Sequence, residues 1–133
     1  MFELYGQANN NFKTDLKNVK IYDYVNYCNV PNILRNSDLL LMPYSKKVSV
    51  RSKTLDTADY CSPLKMFDYL AAGRLIVSSK LDGICEVLKH KKNAIIVDGF
   101  DYKAWEKEIN NILNNKYDIT TIQKNAFDTA NEF

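Results

Sequence analysis

An α/β fold, a parallel sheet covered by helices on both faces, is what this 133-residue sequence predicts. Three observations carry the prediction. Short apolar runs alternate with amphipathic segments along the chain. Residues 38–42, Asp-Leu-Leu-Leu-Met, form an almost uninterrupted apolar run, the pattern of a central parallel strand buried on both faces. Residues 62–73 carry a full set of helix boundary signals and lie between two such runs. In folds of this kind, ligands bind beyond the carboxyl ends of the strands. With 46% hydrophobic and 26% charged residues, the chain suits one domain, residues 1–133, with a real core.

In chain order, residues 2–5 predict a strand ending at Gly6, residues 7–11 a polar turn, and residues 12–17 a short helix. A second strand follows at 19–22, continued by an aromatic and polar stretch to Tyr27. Pro31 opens a helix to about Asn36, with Asn29 as its cap. After the 38–42 strand, residues 44–61 turn polar and carry Lys46, Lys47, Arg51 and Lys53; a loop of that length inside a domain is usually functional or disordered. Residues 75–78 read as the next strand, 83–90 as a short helix entered through Leu81 and Asp82, and 93–97 as the last strand. Trp105, Ile109, Ile112 and Leu113 place one buried stripe on a helix from Tyr102 to about Asn114, which makes Trp105 a packing anchor. Ile119, Ile122, Ala126 and Ala130 mark a final helix.

The stretch 62–73 carries the functional signal. Ser62 is a favoured N-cap, Pro63 suits the first helical position, and Gly73 supplies a left-handed stop, so the helix is expected over 63–72. Leu64, Phe67 and Ala71, with Met66 and Leu70 beside them, mark its buried face. Lys65 breaks a rule: it is a cation in the first turn, where the macrodipole is already positive. An anion bound there reverses the sign. The N–H groups of Leu64 and Lys65, the Ser62 hydroxyl and the Lys65 ammonium together make a candidate phosphate site, and Asp68, one turn on, a candidate acceptor from ribose hydroxyls. On spacing alone, an i,i+3 ion pair between Lys65 and Asp68 on a solvated face is the commoner arrangement.

Composition removes several classes. A net charge of +2 argues against nucleic acid as partner. No 18-residue apolar run and no basic segment leading into an apolar one occur, so a cytoplasmic protein is expected. Cys28, Cys61 and Cys85 are odd in number and widely spaced, which speaks against a zinc site or a disulfide framework and for small packing residues; a reactive thiolate at Cys61 needs His90 beside it.

Residues 62–79, Ser-Pro-Leu-Lys-Met-Phe-Asp-Tyr-Leu-Ala-Ala-Gly-Arg-Leu-Ile-Val-Ser-Ser, resemble the donor-binding segment of GT-B glycosyltransferases of family 4, the group 1 type. Asp82-Gly83-Ile84-Cys85-Glu86-Val87 resembles that family's Gly-Gly-Ile-Pro-Glu-Val turn, and Asn93-Ala94-Ile95-Ile96-Val97 its Asn-Gly-Leu-Leu-Val strand. Residues 19–25 and 37–45 sit in the expected order upstream. The resemblance implies the C-terminal, Rossmann-like half of a GT-B fold, a fragment of a two-domain enzyme that binds a UDP- or GDP-linked sugar. It implies retaining transfer to an acceptor hydroxyl in polysaccharide or glycolipid synthesis, with no cofactor and no metal. The phosphate site is then Ser62, Leu64 and Lys65, and the ribose site Asp68. The 44–61 loop, with Tyr44, Lys46, Arg51 and Tyr60, becomes a candidate sugar or acceptor loop. Its basic residues meet the pyrophosphate, a lipid-linked acceptor or the inner face of a membrane, or else the loop is solvated without a partner.

Two departures from the family pattern stand out. The family places a strand and a basic loop before the segment corresponding to Phe2, and the fold is expected to lack that strand. In the order 3-2-1-4-5-6 that strand is central, so residues 2–5 and 38–42 are expected either to pair directly or to expose edges open to dimerisation. The N-terminal acceptor domain is expected to be missing as well, and the isolated chain to be inactive. The family also carries two glutamates separated by seven residues; here Asp68 takes the second place and Tyr60 the first, with Asp56 and Asp59 as substitutes in the preceding loop. The reading from another class is a non-catalytic, flavodoxin-like α/β binding module. Such a module wants acidic residues clustered at the ends of its first strands, and Asp23 is the nearest candidate.

Overall fold

The computed structural model describes residues 1–6, 14–44 and 64–133. These fall into two units, Met1–Ile33 and Leu34–Phe133, with the boundary inside a helix. The predicted turn at 7–11, the start of the predicted 12–17 helix and most of the 44–61 loop lie outside the described residues.

In the first unit, β1 (Phe2–Tyr5) pairs in parallel with β2 (Val19–Tyr22), Phe2 opposite Val19 and Leu4 opposite Ile21. Paired residues share a face, so one face carries Phe2, Leu4, Val19 and Ile21 and the other Glu3, Tyr5, Lys20 and Tyr22. On the polar face the Tyr5 and Tyr22 rings stack with centroids 4.8 Å apart, and both phenols donate to Glu3, at 2.9 and 3.3 Å. Desolvation, the hydrogen bond to Glu3 and the charges of Glu3 and Tyr22 push the pKa of Tyr5 up to about 12. Residues 14–16 are irregular and 17–18 form a turn, so the described part of the expected 12–17 helix is not helical; its polar residues offer no apolar stripe to bury. A 3-10 turn, Tyr27–Asn29, then leads into α1 (Val30–Arg35). The 3-10 turn is capped by Asn26, whose side chain accepts from the Cys28 N–H. Cys28 is exposed, which corrects its reading as a packing residue.

The second unit holds a parallel sheet ordered β3 (Leu39–Met42), β4 (Leu75–Ser79), β5 (Ile95–Val97). Register sorts the side chains into two cores. Leu39 pairs with Leu75, and Val77 with Ile95, on one face; Leu40 pairs with Ile76, and Ser78 with Ile96, on the other. The first face, with Val97, packs against Ile112 of α4 (Tyr102–Leu113) and Ile122 of α5 (Ile119–Ala130). The second packs against Met66 and Leu70 of α2 (Leu64–Ala72), Ile84 of α3 (Asp82–Cys85) and Ala126 of α5. All five residues of β4 are fully buried. Each such aliphatic side chain contributes about 1.5–3 kcal/mol relative to exposure, which is why an unbroken apolar run is retained here.

Sequence and structure part at several points. β3 is covered on both faces but is not central among the described residues, having β4 as its neighbour on one side; β1 likewise has only β2. Among the described residues each of these strands thus presents a short open edge within its own sheet. Leu64 is 83% exposed and Ala71 exposed, so the buried stripe of α2 runs through Met66 and Leu70 and leaves the expected Leu64–Phe67–Ala71 row turned outward, Phe67 half-buried at its margin. Leu113 faces solvent for a similar reason: α4 ends beside it, and Ile112 takes the inward place. The helix expected over 83–90 closes at Cys85, and the strand expected from Asn93 starts at Ile95. Between them a tight connection is pinned by Asn93, buried to 3% exposure. Its Oδ1 accepts from the Lys89 N–H at 2.7 Å, and its Nδ2 donates to the Val87 carbonyl and to Thr129 Oγ1, each at 3.1 Å.

Candidate functional site

The carboxyl end of this sheet is where β3 gives way to Pro43 and Tyr44, and where α2 begins. Gly73 stops α2 in the left-handed conformation, φ 63°, its N–H donating to the Leu70 carbonyl at 3.0 Å, and turns the chain into β4. Ser79 ends β4 fully buried. A polar group there needs partners, and Tyr44 supplies both: the Tyr44 N–H donates to Ser79 Oγ at 2.9 Å, and Ser79 Oγ donates to the Tyr44 carbonyl at 2.9 Å. The backbone leaving β3 is thereby fastened to the end of β4.

The Tyr44 ring carries the next contact. The Lys65 ammonium lies over it, 4.7 Å from the ring centroid, within cation–π range. Lys65 is exposed as a residue, yet desolvation lowers its pKa from the ordinary lysine value. Asp68 is half-buried one turn further along α2. The neighbouring Tyr69 phenol has its pKa raised, first by burial and then by the Asp68 charge.

Leu64, Lys65, Asp68 and Tyr44 are thus described, and Tyr44 and Lys65 are in contact. Ser62, Lys46, Arg51 and Tyr60 lie outside the described residues, as do Pro63, Cys61, Asp56 and Asp59. Ser79 was missed from sequence, although a signal existed: two serines close an otherwise apolar buried strand, and such hydroxyls must be satisfied internally. The exposed pair of Lys80 and Asp98, 3.2 Å apart at the ends of β4 and β5, was missed too. A cleft of about 280 Å³ lies elsewhere, lined by Glu86, Lys89, Asn93, Asp128 and Glu132 among others, and contains none of the predicted site residues. It sits before β5, at the end of the sheet opposite Ser79, and its Asn93 is already satisfied internally.

Chemically, the start of α2 offers first-turn N–H groups that have no acceptor within the helix, the positive end of the helix dipole and one ammonium. That set attracts an anion, and a carboxylate one turn on can accept from hydroxyls. No helix among the described residues is long and apolar enough to cross a membrane.

Comparison with known proteins gives a family. The one described as Glycosyl transferases group 1 matches residues 2–115. Among solved structures, Anabaena Alr3699/HepE in complex with UDP superposes with TM-score 0.67 at 18% identity over 86% of this chain and 28% of that one. The same protein with UDP-glucose gives 0.68, 18% and 87%. A glycosyltransferase from Rickettsia africae ESF-5 gives 0.65 at 14% identity, over 87% of this chain and 27% of that one. The chain therefore spans little more than a quarter of the length of these proteins. Curated protein sequences give no match.

Proposed function

The chain belongs to the glycosyl transferases of group 1, and from that membership we propose that it is the donor-binding domain of such an enzyme. It holds the diphosphate of a UDP- or GDP-linked sugar at the start of α2, with Leu64 and Lys65, joined by Ser62, on the phosphates and Asp68 on the ribose. Tyr44, Lys46, Arg51 and Tyr60 face the sugar or the acceptor. The observation that carries the reading is the position of Lys65: a partly desolvated ammonium at the positive end of a helix, beyond the carboxyl ends of β3 and β4. Two positive features side by side are unfavourable unless an anion joins them.

Transfer from such a donor develops negative charge on the leaving diphosphate. Lysine and backbone N–H groups fixed in advance stabilise it without reorganisation. The reaction is transfer with retention to an acceptor hydroxyl, the acceptor held by an N-terminal domain, in polysaccharide or glycolipid synthesis at the inner face of a membrane. That HepE has been solved with UDP and with UDP-glucose supports the nucleotide class.

The test is a two-dimensional amide NMR spectrum of the chain titrated with UDP and with GDP, alone and as Lys65→Ala. Shifts confined to Leu64, Lys65, Asp68 and residues 44–61 are expected, with Lys65→Ala weakening binding by about 1–3 kcal/mol, the range of a charge-assisted hydrogen bond. Affinity unchanged in Lys65→Ala removes Lys65 from the site.

A further inference from the structure

We propose that Tyr44 and Ser79 are positioning residues for Lys65. The buried Ser79 hydroxyl locks the backbone of Tyr44 from both its N–H and its carbonyl, and the locked ring seats the Lys65 ammonium beside the start of α2. This rests on the reading of Lys65 as a phosphate ligand and extends it to two residues that act on the phosphate through Lys65.

Three observations converge on it. Ser79 is fully buried, and among the described residues both hydrogen bonds of its hydroxyl go to Tyr44. Tyr44 lies at the first irregular turn after β3, where a chain end is normally free to sway; two bonds to the central strand of the sheet remove that freedom. Lysine carries large rotamer entropy, most of which is lost on seizing a ligand. A ring that holds the ammonium beforehand takes part of that loss out of the binding step. An ammonium resting on a ring face still has N–H bonds directed away from it, so the ring and a phosphate can be engaged together.

The proposal separates from a merely structural role by experiment. In the 133-residue chain, the Lys65 ε-methylene protons are expected to be ring-current shifted in the unsubstituted protein and in Tyr44→Phe, which keeps the ring, and to return toward the ordinary lysine position in Tyr44→Leu and Ser79→Ala. UDP or GDP affinity is expected to fall about 3- to 10-fold in Tyr44→Leu and Ser79→Ala, the range of a partly exposed cation–π contact, and to remain in Tyr44→Phe. Core methyl resonances of Ile76 and Ile84 report that each variant is folded; should Ser79→Ala fail to fold, the half-buried Tyr44 pair decides alone. Tyr44→Leu binding as tightly as the parent, or tighter, while Lys65→Ala loses affinity overturns the positioning role and leaves the donor site standing. Lys65→Ala binding as the parent does, or a folded parent that binds neither nucleotide, overturns the donor reading itself.

Discussion

Asn93→Ala is the substitution whose cost the structure specifies most fully. The side chain is buried and makes three hydrogen bonds, to the Lys89 N–H, the Val87 carbonyl and the Thr129 hydroxyl. Each is worth roughly 0.5–1.5 kcal/mol net, and their loss strands a part-buried N–H and a part-buried carbonyl. The expected destabilisation is therefore about 3 kcal/mol. With a urea slope of roughly 1–3 kcal/mol/M for a domain of this size, the unfolding midpoint drops by about 1–3 M at unchanged slope. Thr129→Val removes one of the three bonds and is expected to cost about 1 kcal/mol, with the double variant less destabilised than the sum. Asn93→Asp keeps the acceptor for Lys89 but turns an oxygen toward the Val87 carbonyl. Only the protonated acid donates there, which raises the folded pKa of Asp at that position, so this variant is expected to gain stability as pH falls and to lose it as pH rises through the raised value. An Asn93→Ala unfolding free energy within ~0.5 kcal/mol of the parent would refute the claim that this amide fastens the α3–β5 connection to α5.

Nucleotide affinity followed by calorimetry is expected to fall with rising pH before the ordinary lysine range is reached, because desolvation lowers the Lys65 pKa and only the ammonium binds phosphate; Lys65→Arg flattens the profile. Over the same window Lys65 favours folding as pH rises, since the unfolded chain still holds the proton that the folded chain has released. Gly73→Ala forces φ 63° on a residue with a Cβ, which meets Phe127 at an ordinary 3.5 Å, so about 1–2 kcal/mol of backbone strain is the whole expected cost. Gly99→Ala, with φ 147° and an added Cβ 2.9 Å from the Ala104 Cβ, is expected to lower the thermal midpoint further. In an absorbance titration Tyr5 is expected to ionise at about 12, and Glu3→Gln to bring it back toward 10.0; its contribution to stability, intact below pH 10, is lost as pH rises toward that value.

The core elements were legible because their signals are local and redundant. An uncharged run such as 75–78 has nowhere to go but inside, and Gly73 after Leu70-Ala71-Ala72 admits one kind of helix ending. Facing was less legible: Leu64 and Met66 are equally apolar, and only the packing partners Ile84, Ala94 and Ala126 decide that Met66 turns inward. The α3 boundary was misread because its four residues are held by turns and by Asn93, a long-range partner that periodicity does not report. At the site, Lys65 was visible as a cation placed against the dipole, while its contact with Tyr44 depends on a β3–β4 pairing across more than thirty residues of chain. Ser79 was legible only through the rule that buried hydroxyls are satisfied, and that rule names no partner.

β4 stands as a wall with a different core on each side: Leu75 and Val77 face one, Ile76 the other. Substitutions confined to opposite sides share no neighbours and are expected to add independently. For a lineage accumulating changes, this divides neutral drift into two compartments. The α4 side can be rewritten without disturbing the packing under α2, where Lys65 is mounted. The three strands β3, β4 and β5, together with α5, contribute to both cores and so transmit a change from one compartment to the other, and in those elements a tolerated substitution must satisfy two histories at once.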